Sequence, residues 1–192
     1  MKSKKNVPSV SIKNTIAEAN EDWHSSDYFI SADEYLSGSM ELFRPDYYAL
    51  FICVEGELKV VINNKNITLK PYCFISTSPE TVVQVTSISP GCKGRFLFFT
   101  KSFLLNNIIS PSLLDAFHYL IKRDGYCLPL NVNDAAVLLQ LYEILKEKRG
   151  EDNSAFHIEI IRSLFFTFLY EAATIYKKNA PGTATGKSRH AF

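Results

Sequence analysis

Four histidines, His24, His118, His157 and His190, and four cysteines, Cys53, Cys73, Cys92 and Cys127, are the side chains here best suited to hold a metal or attack a substrate. Neither set is spaced for that work. Metal sites are commonly seeded by two ligands close in sequence, as in CxxC, HxH or HExxH, and none of these pairs occurs. Nucleophile and phosphate-binding signatures are missing as well: there is no GxSxG, no GxxxxGK[ST] and no GxGxxG. The sequence therefore predicts no catalytic residue, no metal and no cofactor, and not an enzyme. His118 and His157 read as partly buried helical residues. Cys53 and Cys73 lie in apolar strands, where a free cysteine behaves as a small hydrophobe; reduced thiols and a cytoplasmic home are expected.

What remains is aromatic. Tyr48, Phe51, Tyr72 and Phe74 belong to a concentration of rings in the first hundred residues, and small-molecule pockets are mostly apolar with a few placed polar groups. Arg44, just ahead of the strand that carries Tyr48 and Phe51, is the cation placed to orient a carboxylate. These five are the candidate ligand contacts. The same residues also suit plainer roles, the rings as core and Arg44 as a surface cation facing Glu41 or Asp46.

Charge bounds the partners. With 21 basic and 20 acidic residues the formal net charge is +1, without the clustered Lys and Arg of a nucleic-acid surface. Only the ends are basic. The first thirty residues carry Asn14, Glu18, Glu21 and Asp22, so no signal-peptide core is present, and no run approaches the ~18 apolar residues of a membrane helix.

The elements that must position these residues change character once. Residues 1–26 are polar, a mostly flexible tail disordered through about Ser11, although Ile12, Ile16, Ala19 and Trp23 are spaced as one face of a short helix. From residue 27 short strands follow one another. Residues 47–75 read as a β-meander: a strand from Tyr48, a turn at Glu55-Gly56, a second strand, a polar turn at Asn63-Asn64 and a third strand before Pro71. Alternation sends Tyr48, Leu50, Ile52 and Val54 to one face and Ala49, Phe51 and Cys53 to the other. About eight such strands predict a jelly roll or barrel.

At Lys101 the period shifts to three and four, through Phe103, Leu104, Ile108, Leu113, Leu114 and Phe117. Two longer helices end the chain, the first capped by Asn133 or Asp134 and the second by Asp152, Asn153 or Ser154, forming an antiparallel hairpin. The second is apolar nearly all round. A helix of that kind is covered nearly all round: either it is central to a helical core or its second face meets another subunit. Ile158, Arg162, Phe166, Tyr170 and Ala173 are assigned to contact with a second copy. The run NAPGTATGKS reads as a flexible linker. The domains are thus a tail (1–26), a β-barrel with trailing short helices (27–125), a helical hairpin (126–178) and a linker (179–192), an α+β chain overall.

The segment RPDYYALFICVEGELKVVINNKNITLKP at residues 44–71, the GYCLPL link at 125–130 and the hairpin with its linker and SRHAF at 188–192 together resemble the N-terminal half of AraC-type (AraC/XylS) transcriptional regulators. The likeness is to the cupin-like sensor domain in the form common in Bacteroides-type sequences. It implies a cupin-like barrel that binds a small-molecule effector, a hairpin that makes a homodimer, and DNA contact only through a helix-turn-helix domain beyond the linker. Metal-dependent cupins carry an HxH pair ahead of the meander; aligned on Gly56, Phe43-Arg44-Pro45 stand there, and Thr81-Val82 at the later histidine. The resemblance thus points to a metal-free sensor, with a metal-dependent cupin enzyme or a ligand-free interaction module as the competing readings.

Overall fold

The computed structural model describes residues 7–19, 23, 25–31, 41–107, 115, 117, 118, 120, 121, 126–149 and 155–179. Ten strands are present among them: β1 (Ser9–Val10), β2 (Tyr28–Ile30), β3 (Arg44–Pro45), β4 (Tyr48–Glu55), β5 (Leu58–Ile62), β6 (Lys65–Leu69), β7 (Cys73–Thr77), β8 (Val83–Ile88), β9 (Lys93–Phe99) and β10 (Leu128–Pro129). Four helices join them, α1 (Ile12–Ala19), α2 (Lys101–Asn107), α3 (Val132–Lys148) and α4 (His157–Asn179). The result is a mixed α+β chain whose sheets are mostly antiparallel.

The expected meander does not form. β4 pairs with β7 and β9 at the centre of a five-stranded sheet ordered β10-β7-β4-β9-β2, while β5 pairs with β6 and β8 in a separate three-stranded sheet. Glu55-Gly56 is therefore a passage between sheets and not a hairpin. Gly56, at φ 74°, turns the chain there, and a Cβ at that position would stand 2.8 Å from the Cα of Cys92. Positive φ recurs at two of the three later passages between the sheets, Tyr72 at 63° between β6 and β7 and Gly91 at 70° between β8 and β9. Within one sheet, β5 and β6 make a true hairpin on Asn63 and Asn64, at φ 47° and 67°, the doubly left-handed turn that matches strand twist.

No closed barrel results, which corrects the barrel expectation: the chain passes from one sheet to the other at β4–β5, β6–β7, β7–β8 and β8–β9, and the two sheets remain separate in their hydrogen bonding. An isolated antiparallel bridge, Phe43 to Val83, links β8 to the segment entering β3.

β4 is buried on both faces, as a central strand must be. Leu50 and Ile52 join a core with Phe74, Leu97 and Phe99 under the helices, whereas Phe51 and Cys53 join Leu58, Val60, Ile62 and Ile75 between the sheets. The alternation read from the sequence holds. Three layers follow: small sheet, large sheet, helices.

The helical layer is a hairpin. Asn131 caps α3, its Oδ1 accepting the Asp134 amide at 2.9 Å, so the cap lies ahead of both expected candidates, Asn133 and Asp134. Lys178 at the end of α4 reaches Asp134 at the start of α3 (3.8 Å), which fixes the pair as antiparallel. Tyr142 on α3 donates its hydroxyl to the carbonyls of Ser31 (2.5 Å) and Phe96 (3.2 Å), and Tyr176 on α4 donates to that of Tyr126 (3.0 Å). Each buried ring thus spends its polar end on a strand or link.

At the N-terminus, residues expected in the tail form β1, parallel to β3, and α1, whose Ile12 and Ile16 pack on Phe29, Tyr47 and Phe98. Ser11 accepts the Asn14 amide (3.2 Å) and Asp46 accepts that of Ile12 (3.0 Å), so α1 is capped from its own chain and from the β3–β4 turn. The linker after residue 179, the helix expected around Ile108, Leu113 and Leu114, and the caps Asp152, Asn153 and Ser154 lie outside the described residues. No helix among the described residues is long and apolar enough to cross a membrane.

Candidate functional site

Between the two sheets lies a cavity of about 140 Å³. Phe43, Pro45, Tyr47, Ala49 and Phe51 form one wall, from the segment entering β3 through β4. Leu58, Val60, Ile62, Leu69, Val83 and Val85 of the small sheet form the opposite wall, and Ile75, Thr77, Phe96 and Phe98 complete it from β7 and β9. The rings are contiguous: Phe51 lies 4.5 Å from Phe96, Phe96 5.4 Å from Phe98, and Phe98 4.9 Å from Tyr47. α1 stands behind this end, with Thr15 and the Tyr47 hydroxyl 2.9 Å apart. Burial pushes the Tyr47 phenol up to about 12, and the bond to Thr15 offsets only part of that.

The opposite end of the inter-sheet core is lined with sulfur. Cys53 and Cys92 are buried free thiols beside one another; burial first, and then the neighbouring thiol, push Cys53 up to about 12, and burial raises Cys92 too. Both stay protonated and unreactive near neutrality. Cys73 on β7 is joined to Cys127, just ahead of β10, in a disulfide. That bond corrects the expectation of four reduced thiols. It was invisible in a sequence separation of 54, and it arises because β10 adds to the edge of the large sheet beside β7, opposite Cys73.

Of the five expected ligand contacts, only Phe51 lines the cavity. Phe74 points the other way, buried against the helices 6.1 Å from Tyr176. Tyr48 also faces the helical side, stacked on Phe99 at 5.3 Å and edge-on to Phe117 at 4.8 Å; burial and then Glu80 raise its phenol. Its edge opens on a surface hollow of about 730 Å³ with Ser78, Pro79, Glu80, Lys101, His118 and Ile121. His118, expected partly buried, is exposed there. Tyr72 is an exposed turn residue whose amide donates to the Cys53 carbonyl (2.8 Å) and whose carbonyl accepts from Leu130 (2.8 Å). Arg44 is exposed, while its neighbours Phe43 and Pro45 line the cavity.

Among the lining residues not assigned were Tyr47, Ala49, Phe96 and Phe98. Parity along the strand was the available signal: Ala49 shares the face of Phe51 that the alternation had already identified, and Phe96 and Phe98 alternate with Leu97 and Phe99. The positions aligned with a metal-binding HxH do reach the cavity, through Phe43 and Pro45, side chains without metal-binding atoms. No group of three or more His, Cys, Asp or Glu that would hold a metal ion occurs among the described residues.

On the hairpin, the assigned contact residues divide. Ile158, Arg162 and Tyr170 are exposed. Phe166 and Ala173 are buried within the chain, Phe166 stacked on Phe103 of α2 at 5.9 Å. Part of the second apolar face of α4 is thus covered by α2 itself. Val137 and Ile144 on α3 and Ile160 on α4 are further exposed apolar side chains of the hairpin.

No family model matches the chain, and no curated protein is similar to it in sequence. Among solved structures, an apo form of ToxT from Vibrio cholerae is similar at 12% identity and TM-score 0.48, over 81% of this chain and 59% of that one. ToxT with bound unsaturated fatty acid gives 15% identity and TM-score 0.45, over 81% and 56%. The AraC-like transcriptional activator CuxR gives 13% and 0.40, over 69% and 50%. The chain spans between half and three-fifths of the length of these proteins.

Proposed function

We propose that this chain is the effector-sensing and dimerisation part of an AraC-type transcriptional regulator, a cytoplasmic protein that is not an enzyme and that meets DNA through a domain outside these residues. The observation that carries the reading is the placement of the cavity. β4 bears the cavity on one face, through Ala49 and Phe51, and the hairpin core on the other, through Leu50 and Ile52. A molecule that fits one spacing of the sheets better than another would bias the strand on which the hairpin is seated, and only such differential affinity moves an equilibrium.

The test is thermal unfolding of the chain against a metabolite library, combined with sedimentation. A bound effector raises the melting temperature, and the rise is lost when the cavity wall is changed at Phe51. The wild type sediments as a dimer and Ile158→Glu with Tyr170→Glu as a monomer. A library without any stabilising compound removes the sensor; a wild-type monomer at tens of micromolar removes the dimer.

A further inference from the structure

The cavity restricts its own occupant. At about 140 Å³ it is well below the roughly 300–1,000 Å³ of sites for drug-sized ligands. It is close to the engineered apolar cavity of about 150 Å³ that stays dry and binds benzene in another protein. Among the described residues its lining carries no charged side chain; the hydroxyls of Tyr47 and Thr77 are the polar side-chain groups they contribute, and that of Tyr47 already has Thr15 as a partner. A carboxylate or ammonium entering such a space sheds its water, and none of the described lining residues supplies a counter-charge to replace it. Arg44, the cation nearest in sequence, points out of the fold.

The wall also has a preferred chemistry. Phe51, Phe96, Phe98 and Tyr47 form a chain of rings with neighbouring centroids 4.5–5.4 Å apart, and they offer faces and edges to an inserted ring. The branched side chains Val60, Ile62 and Val85 close the other side. We propose that the cavity takes a neutral molecule of single-ring size, a monocyclic aromatic without a charged group. This rests on the sensor reading and sharpens it by excluding anionic and sugar-like effectors from this cavity.

Toluene and benzoate separate charge from ring size, and cyclohexane separates aromaticity from bulk. Thermal unfolding of the whole chain is followed with each, in the wild type and in two variants that fill the cavity, Ala49→Phe and the gentler Val85→Ile. Toluene is expected to raise the melting temperature by several degrees, benzoate to leave it unchanged, and cyclohexane to act less than toluene. The toluene rise is expected to shrink in Val85→Ile and vanish in Ala49→Phe. No rise with toluene overturns the proposal, as does a rise with benzoate, an equal rise with cyclohexane, or a toluene rise that survives in Val85→Ile undiminished. If toluene fails while a polar metabolite from the library stabilises the chain, the ligand class falls and the sensor stands. If nothing stabilises it, both fall.

Discussion

The large sheet has two faces built from the same strands, and they are finished differently. On the helical side, Phe74, Phe99, Phe165 and Phe168 are buried completely, in a lattice of edge-to-face rings such as Phe99 to Phe165 at 5.3 Å. On the side of the small sheet, rings of the same type stop short of meeting the opposite wall and leave about 140 Å³. Composition does not make this difference, since both faces are rich in phenylalanine. What differs is the partner: the outer face is covered by side chains of α2, α3 and α4, whereas the inner face meets the small sheet across the cavity. The lesson is that a filled face holds the chain together and an unfilled one leaves room for a guest.

Truncation on each face should separate them most strongly. Phe165→Ala, in the filled layer, is expected to cost about 3–5 kcal/mol in urea unfolding, the usual figure for a buried ring in a core that cannot collapse around the loss. Phe51→Ala should cost at least about 1 kcal/mol less, because its ring already lacks neighbours on one side. Equal costs would abolish the distinction between the faces.

A second, intermediate effect concerns only the inner face. Cys53 and Tyr47 are each pushed up to about 12, from ordinary values of 9.0 and 10.0, chiefly by burial. Each keeps its proton in the folded chain at a pH where the unfolded chain has lost it. Folded pKa values above unfolded ones mean that the stabilisation is whole below pH 9 and drains away between pH 9 and 12. Melting temperature against pH should therefore be flat up to about 9 and fall beyond it. Cys53→Ala should flatten the first part of the fall and Tyr47→Phe the part above 10; an unaltered alkaline slope in both variants would contradict the burial of these groups.

The smallest effect probes whether charge contributes to the filled face. Arg95 on β9 holds Glu143 on α3 at 2.8 Å and lies 5.7 Å from the ring centre of Tyr142. Glu143 is well exposed, so Glu143→Gln should cost no more than about 1 kcal/mol, and less at high salt. A loss as large as that of Phe165→Ala would mean that the helices are held by ion pairing and not by rings.

Much of this was legible from periodicity. The two parities of β4 were assigned correctly, and the hairpin followed from apolar spacing, because both patterns are local and set by burial. Sheet membership was not legible. A glycine turn between two apolar strands reads alike whether the second strand returns beside the first or crosses to another sheet, and the partners of β5 beyond its own hairpin lie on β8, distant in sequence. Ligand contacts were chosen by residue type, and Tyr48, Tyr72, Phe74 and Arg44 went astray for that reason. Parity would have retained Phe51 and added Ala49.

The bond from Cys73 to Cys127 changes the shape of the chain as a connected object. With it, the polypeptide is no longer a line but a closed ring with two arms, one bearing β1 to β6 and the other bearing the hairpin. The ring spans a separation of 54 residues and contains β8, β9 and α2, so its closure removes about 4 kcal/mol worth of disorder from the unfolded chain on the loop-entropy account. Drawn out by its ends, such a molecule falls short of a simple thread by roughly 190 Å, at about 3.6 Å for each enclosed residue. Both arms leave the ring at one point, where β7 and β10 lie side by side at the edge of the large sheet.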